Sequence, residues 1–86
     1  MVGFKFEVGL DKNQLIEKAV AQIRSCGCDL VVANDKREME EAGKHIAHLV
    51  TIKGEYTEWW KAEGKEDIAT NICSFVNKKF FGQGDV

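Results

Sequence analysis

An 86-residue chain with twelve basic and fourteen acidic side chains carries a net charge of −2, which gives no global field to hold nucleic acid or an anionic membrane. No apolar run approaches the ~20 residues needed to span a bilayer, and no basic-plus-apolar leader opens the sequence, so cytoplasm is the expected location. The length fits a single domain, residues 1–86; it buries only roughly 60–65% of its unfolded surface, which leaves about 5 kcal/mol of net stability and favours a partner chain or a second copy.

Residues 2–8 alternate apolar and polar side chains from Phe4 onward, which predicts a strand with one covered face. Gly9 ends it. Asp11 suits an N-cap, and Leu15, Ile16, Ala19, Val20 and Ile23 then form one apolar stripe of a helix that Gly27 closes. Residues 28–33 follow as an apolar run, the signature of a strand buried on both faces, and it stops on Asn34-Asp35. Strand, helix and buried strand make a βαβ unit with parallel strands.

Residues 35–43 are dense in charge (Lys36, Arg37, Glu38, Glu40, Glu41) and predict a solvated loop with one or two helical turns. Residues 46–52 read as a strand, Lys53-Gly54-Glu55 as a tight turn, and residues 56–60 as the antiparallel return. Lys65-Glu66-Asp67 opens a last helix with Ile68, Ala69, Ile72, Phe75 and Val76 on one stripe, and Lys78-Lys79 suit its end. Phe80-Phe81-Gly82 is expected to finish that helix, with residues 83–86 frayed. The fold class is therefore α/β: a small Rossmann-like fragment in which a βαβ unit precedes a β-hairpin and a C-terminal helix, on a mixed sheet of about four strands.

Ligands of open α/β sheets bind beyond the carboxyl ends of the strands, where Asn34 and Asp35 stand. Asn34 offers a donor and an acceptor side by side, which suits a nucleobase edge. The plainer reading is that Asn34-Asp35 turns the chain and caps the next short helix.

Three cysteines, with Cys26 and Cys28 one residue apart and Cys73 distant, lack the even count of a disulfide framework and a second ligand pair for a metal. Free thiols, buried or half-buried, are the expectation. His45 and His48, three apart in a strand, fall on opposite faces and predict surface or edge positions rather than a pair. Trp59-Trp60 suits either a cover for one end of the core or an anchor for a partner.

Taken in order, Gly3-Phe4-Lys5-Phe6-Glu7, then Asp29-Leu30-Val31-Val32-Ala33-Asn34-Asp35, then Gly64-Lys65-Glu66-Asp67-Ile68-Ala69 resembles the C-terminal part of the phosphopantothenate–cysteine ligases. The likeness runs over about residues 2–76 and covers about the last third of that family's length. It implies a role in coenzyme A biosynthesis: activation of the phosphopantothenate carboxylate by CTP or ATP with Mg²⁺, then attack by the cysteine amine. Carried over by position, it implies that Phe4 and Asn34 help form the nucleotide pocket, with Arg24 as the cation left near the end of the first helix. Without the resemblance, Phe4 reads as a core residue beside Phe6. Lys65 matches a family lysine but reads more simply as an exposed first-turn residue, and Glu38, Glu40 and Glu41 as a solvated acidic turn rather than Mg²⁺ ligands.

The family's Gly-rich turn, its phosphopantothenate-binding Asn and its Lys-bearing flap lie in the part this chain does not match, so no ligation is expected from the chain acting alone. Its expected partners are a nucleotide and either the N-terminal portion of the ligase or a second copy. The competing expectation is a non-catalytic binding or assembly module that keeps the fold; a thiol or metal protein built on Cys26 and Cys28 is a distant third.

Overall fold

The computed structural model describes residues 1–80, and the expectations for Phe81-Gly82 and residues 83–86 lie outside that range. Four strands form one mixed sheet in the order β1-β2-β3-β4: β1 (Val2–Glu7), β2 (Leu30–Asp35), β3 (Ile46–Lys53) and β4 (Tyr56–Glu63). β1 and β2 are parallel with Phe4 opposite Val32 and Phe6 opposite Asn34, while β2–β3 and β3–β4 are antiparallel. Helix α1 (Lys12–Cys26) is the crossover between the parallel pair, α2 (Lys36–Ala42) joins β2 to β3, and α3 (Lys65–Phe80) follows the hairpin.

The α1 stripe folds as its periodicity demands. The Asp11 carboxylate accepts from the Gln14 amide at 2.9 Å, and the Gln14 side chain accepts from the Asp11 amide at 3.1 Å, a closed capping box. Gly27 ends the helix in the left-handed region, φ 70°, where a Cβ costs about 1 kcal/mol or more. Leu15, Ala19 and Ile23 are buried against Cys28, Val31, Ala33 and Val50. The opposite face of the sheet buries Leu30, Val32, Ala47, Leu49 and Ala62, with Val2, Trp60, Ile68, Ile72 and Phe75 packed over them in part. β2 is thus covered on both sides, as its unbroken apolar run predicted.

Four expectations are corrected. The charged stretch after Asp35 does supply the expected helical turns, as α2, but β4 continues past Trp60 to Glu63. Cys28 is buried, but Cys26 and Cys73 are free and exposed. His48 is not at a surface or an edge: it is 1% exposed on central strand β3. Finally, the covered face of β1 is not the aromatic one. Gly3 faces α1, so close that an added Cβ would lie 2.8 Å from Gln22 Nε2 and 2.9 Å from Cys28 Sγ. Phe4 and Phe6 point the other way and remain 68% and 58% exposed, so Phe4 is not a core residue.

Candidate functional site

The carboxyl ends of the parallel strands are organised by Asp35. Its buried carboxylate accepts from the Leu10 amide at 3.0 Å and from the Glu38 amide at 3.2 Å. One side chain thereby caps α2 and ties down the segment between β1 and α1. Arg37 adds a second tie, its guanidinium donating to the Gly9 carbonyl at 3.2 Å. Burial by itself pushes the Asp35 carboxyl up; the backbone amides of Leu10, Glu38 and Arg37 and the Arg37 charge outweigh it, and the net displacement is downward.

A carboxyl held below its unfolded value stabilises the fold above that unfolded value, ~3.9, and loses the contribution as pH falls through the lower folded one. Asp35→Asn keeps the shape but loses the charge-assisted acceptor, and it is expected to cost roughly 1.5–3 kcal/mol at pH 7. Urea midpoints recorded from pH 6 to pH 2 should fall less steeply for this variant than for the parent; parallel curves would refute the assignment.

Beside Asp35, Asn34 faces the other side of the sheet. It is half-buried, and its side-chain amide takes no hydrogen-bond partner among the described residues. Cα partners in the ladder share a face, so Asn34 stands next to Phe6 and diagonal to Phe4. Two of the three expected nucleotide-pocket residues therefore converge on one open platform: an exposed aromatic face and an unpaired amide. Arg24 is not brought to them. It is exposed in the last turn of α1, over the opposite face and beside the start of β2.

The platform is open rather than enclosed. Larger hollows lie elsewhere, one of about 230 Å³ between Leu10, Asp35 and Arg37 on the α1 side, and one of about 280 Å³ between Thr51, Trp60 and Phe75 under α3.

His48 was missed as a buried group. It sits on the α1 face of β3, where Nε2 donates to both Glu38 oxygens at 3.0 and 3.1 Å, while Nδ1 is buried without a partner. Glu38 is thus a tether and not a free acid of a solvated turn. The Trp59 ring meets His48 edge-on at 6.4 Å between centroids, and Lys12 Nζ lies 4.6 Å above it. Trp60 packs on the other face and donates from Nε1 to Asn71 at 3.0 Å. Lys65 is exposed in the first turn of α3. Among the described residues no group of three or more His, Cys, Asp or Glu side chains could hold a metal ion. Of the two acids at the carboxyl ends of the parallel strands, Asp35 is already committed to backbone amides and Glu7 pairs with Lys5 at 3.1 Å. These residues do not fit a Mg²⁺ site of their own.

Residues 1–80 match the protein family described as the DNA/pantothenate metabolism flavoprotein C-terminal domain. The chain belongs to that family. Among curated proteins it is 31% identical over 78 residues to the coenzyme A biosynthesis bifunctional protein CoaBC of Thermococcus kodakarensis, a match that covers 91% of this chain and 19% of that protein. The chain therefore spans about a fifth of this family member's length. Among solved structures, the DNA/pantothenate metabolism flavoprotein from Streptococcus pneumoniae superimposes with a TM-score of 0.68 at 24% identity, over 88% of this chain and 32% of that one. That likeness carries the fold: the mixed four-stranded α/β arrangement is the family's own. None of the described helices is long and apolar enough to cross a membrane.

Proposed function

We propose that this chain supplies the base-binding part of the nucleotide pocket of a phosphopantothenate–cysteine ligase of coenzyme A biosynthesis, and that it does not ligate alone. The observation that carries the reading is the pairing of an exposed Phe4 ring with the unpartnered Asn34 amide on one face, at the carboxyl ends of parallel strands. A base stacked on Phe4 would place its edge within reach of an amide that donates and accepts. Asp35 supports that geometry by fixing the backbone immediately after Asn34. Family membership supports a place in pantothenate metabolism, and the likeness to the coenzyme A biosynthesis bifunctional protein of Thermococcus supports the pathway.

The triphosphate and its Mg²⁺ need cations and carboxylates in number to offset charge. Those groups would come from ligase regions that this chain does not span. The test is a titration of the chain with CTP and ATP, each with Mg²⁺, followed by amide and aromatic chemical shifts. Saturable changes centred on Phe4, Phe6 and Asn34 are expected. Shifts confined to other regions, or none at millimolar nucleotide, would remove the reading and leave a non-catalytic assembly module.

A further inference from the structure

Helix α2 is seven residues long, and none of its side chains is buried. A helix that short has little stability of its own in water, so its seat on the molecule depends on polar ties. Asp35 and Arg37 tie it to the connection between β1 and α1, through the Leu10 amide and the Gly9 carbonyl. Glu38 ties it to β3, both of its oxygens accepting from His48 Nε2. Among the described residues, this last bond alone joins α2 to a central strand of the sheet.

His48 is a poor choice for the core it sits in. Ala33 lies opposite it in the ladder and Val50 follows on the same face, both fully buried. Its Nδ1 is buried without a partner, which costs stability that an apolar side chain would not lose. What the ring supplies in exchange is the charge-assisted bond to Glu38. That bond acts directly on the strand end, because no residue separates β2 from α2: Asp35 finishes the strand and Lys36 begins the helix. A tilt of α2 therefore passes straight to Asn34, whose side chain projects from the opposite face of the sheet.

We infer that His48 is a positioning residue for the nucleotide site: through Glu38 it seats α2 against the sheet, and that seat aims the Asn34 amide. The inference deepens the proposed function and rests on it for what Asn34 meets. His48 does not touch the nucleotide itself, being 1% exposed and on the α1 face. Its effect on binding is therefore exerted through Asn34 and is bounded by what the Asn34 amide contributes.

The test compares the parent chain with His48→Leu, His48→Gln and Glu38→Ala. Leu fills the space without a donor, whereas Gln carries an amide N–H to about the place of Nε2. Without nucleotide, the α2 amides of Glu40, Glu41 and Ala42 are expected to exchange about 10-fold faster or more in His48→Leu and Glu38→Ala. The Ala19 and Ile23 amides of α1 should keep their rates, the Asn34 side-chain amide resonances should move in the same two variants, and His48→Gln should restore the parent pattern. Alanine is the strongest helix former, so faster exchange in Glu38→Ala cannot reflect lower propensity. Glu38 is half-buried, which keeps the test in hand should His48→Leu not fold. With CTP or ATP and Mg²⁺, each of the two variants should raise the Kd by up to about 12-fold, the ceiling set by the Asn34 hydrogen bonds. In an Asn34→Ala background neither should raise it further. Unchanged α2 exchange, an unmoved Asn34 signal, or losses that add to those of Asn34→Ala would overturn the inference. A parent chain that binds neither nucleotide would remove the proposed function, and the exchange rates and the Asn34 signal would then decide the positioning role by themselves.

Discussion

Leu49→Ala is expected to abolish the cooperative unfolding transition at 25 °C. Leu49 is fully buried on β3, a central strand, within the cluster of Leu30, Val32, Ala47 and Ala62. Truncating a buried leucine costs about 2–5 kcal/mol through lost transfer energy and an unfilled cavity. A domain of this length has about 5 kcal/mol in total. The layer above Leu49 consists of half-buried Ile68, Ile72 and Phe75 on a single helix. Urea denaturation followed by circular dichroism should show a lost or barely resolved baseline for Leu49→Ala. Tyr56→Ala, at a site 76% exposed, should change stability by no more than about 0.5 kcal/mol. A Leu49→Ala midpoint close to the parent's would mean that this face of the sheet contributes little.

Phe4→Ala and Asn34→Ala are expected to weaken the nucleotide without weakening the fold. Stacking on an aromatic face is worth roughly 1–3 kcal/mol, so losing Phe4 should raise the Kd by about 5- to 150-fold. Losing the Asn34 amide removes hydrogen bonds worth about 0.5–1.5 kcal/mol each, or roughly 2- to 12-fold. Because Phe4 is mostly solvent-exposed, its truncation leaves no cavity, and the urea midpoint should stay within error of the parent. Arg24→Ala provides the contrast, since its position over the other face predicts an unchanged Kd. An Arg24→Ala loss equal to that of Phe4→Ala would place the nucleotide on the α1 side.

Much of the fold was legible because local chemistry and tertiary packing agree. The Asp11 cap, the apolar stripe of α1, the Gly27 terminator and the start of α3 at Lys65 stand where the sequence puts them. The end of β4 carried a signal in Trp60-Lys61-Ala62-Glu63, which alternates apolar and polar side chains, but the adjacent pair Trp59-Trp60 hides where that alternation begins. The burial of His48 had a signal in Ile46 and Val50, its period-two neighbours on the same face, but a polar side chain between them argues for exposure until its partner is known. That partner, Glu38, belongs to a stretch whose charges read as solvated. The aromatic alternation of β1 announced a face needing cover, and nothing local could say that this chain leaves it bare. At the site, the plainer reading of Asn34-Asp35 holds for Asp35, which caps α2, while Asn34 faces the other side of the sheet and takes no part in the cap.

Helix α3 also implies an order of unravelling. None of its described side chains is buried, whereas α1 anchors itself with three. The terminal helix can therefore peel from the sheet as a separate step while α1 and its strands stay assembled. Its amides should exchange through that cheaper opening, with a weaker dependence on urea than those of α1. Coincident rates for the two helices would instead mean that the molecule comes apart in a single event.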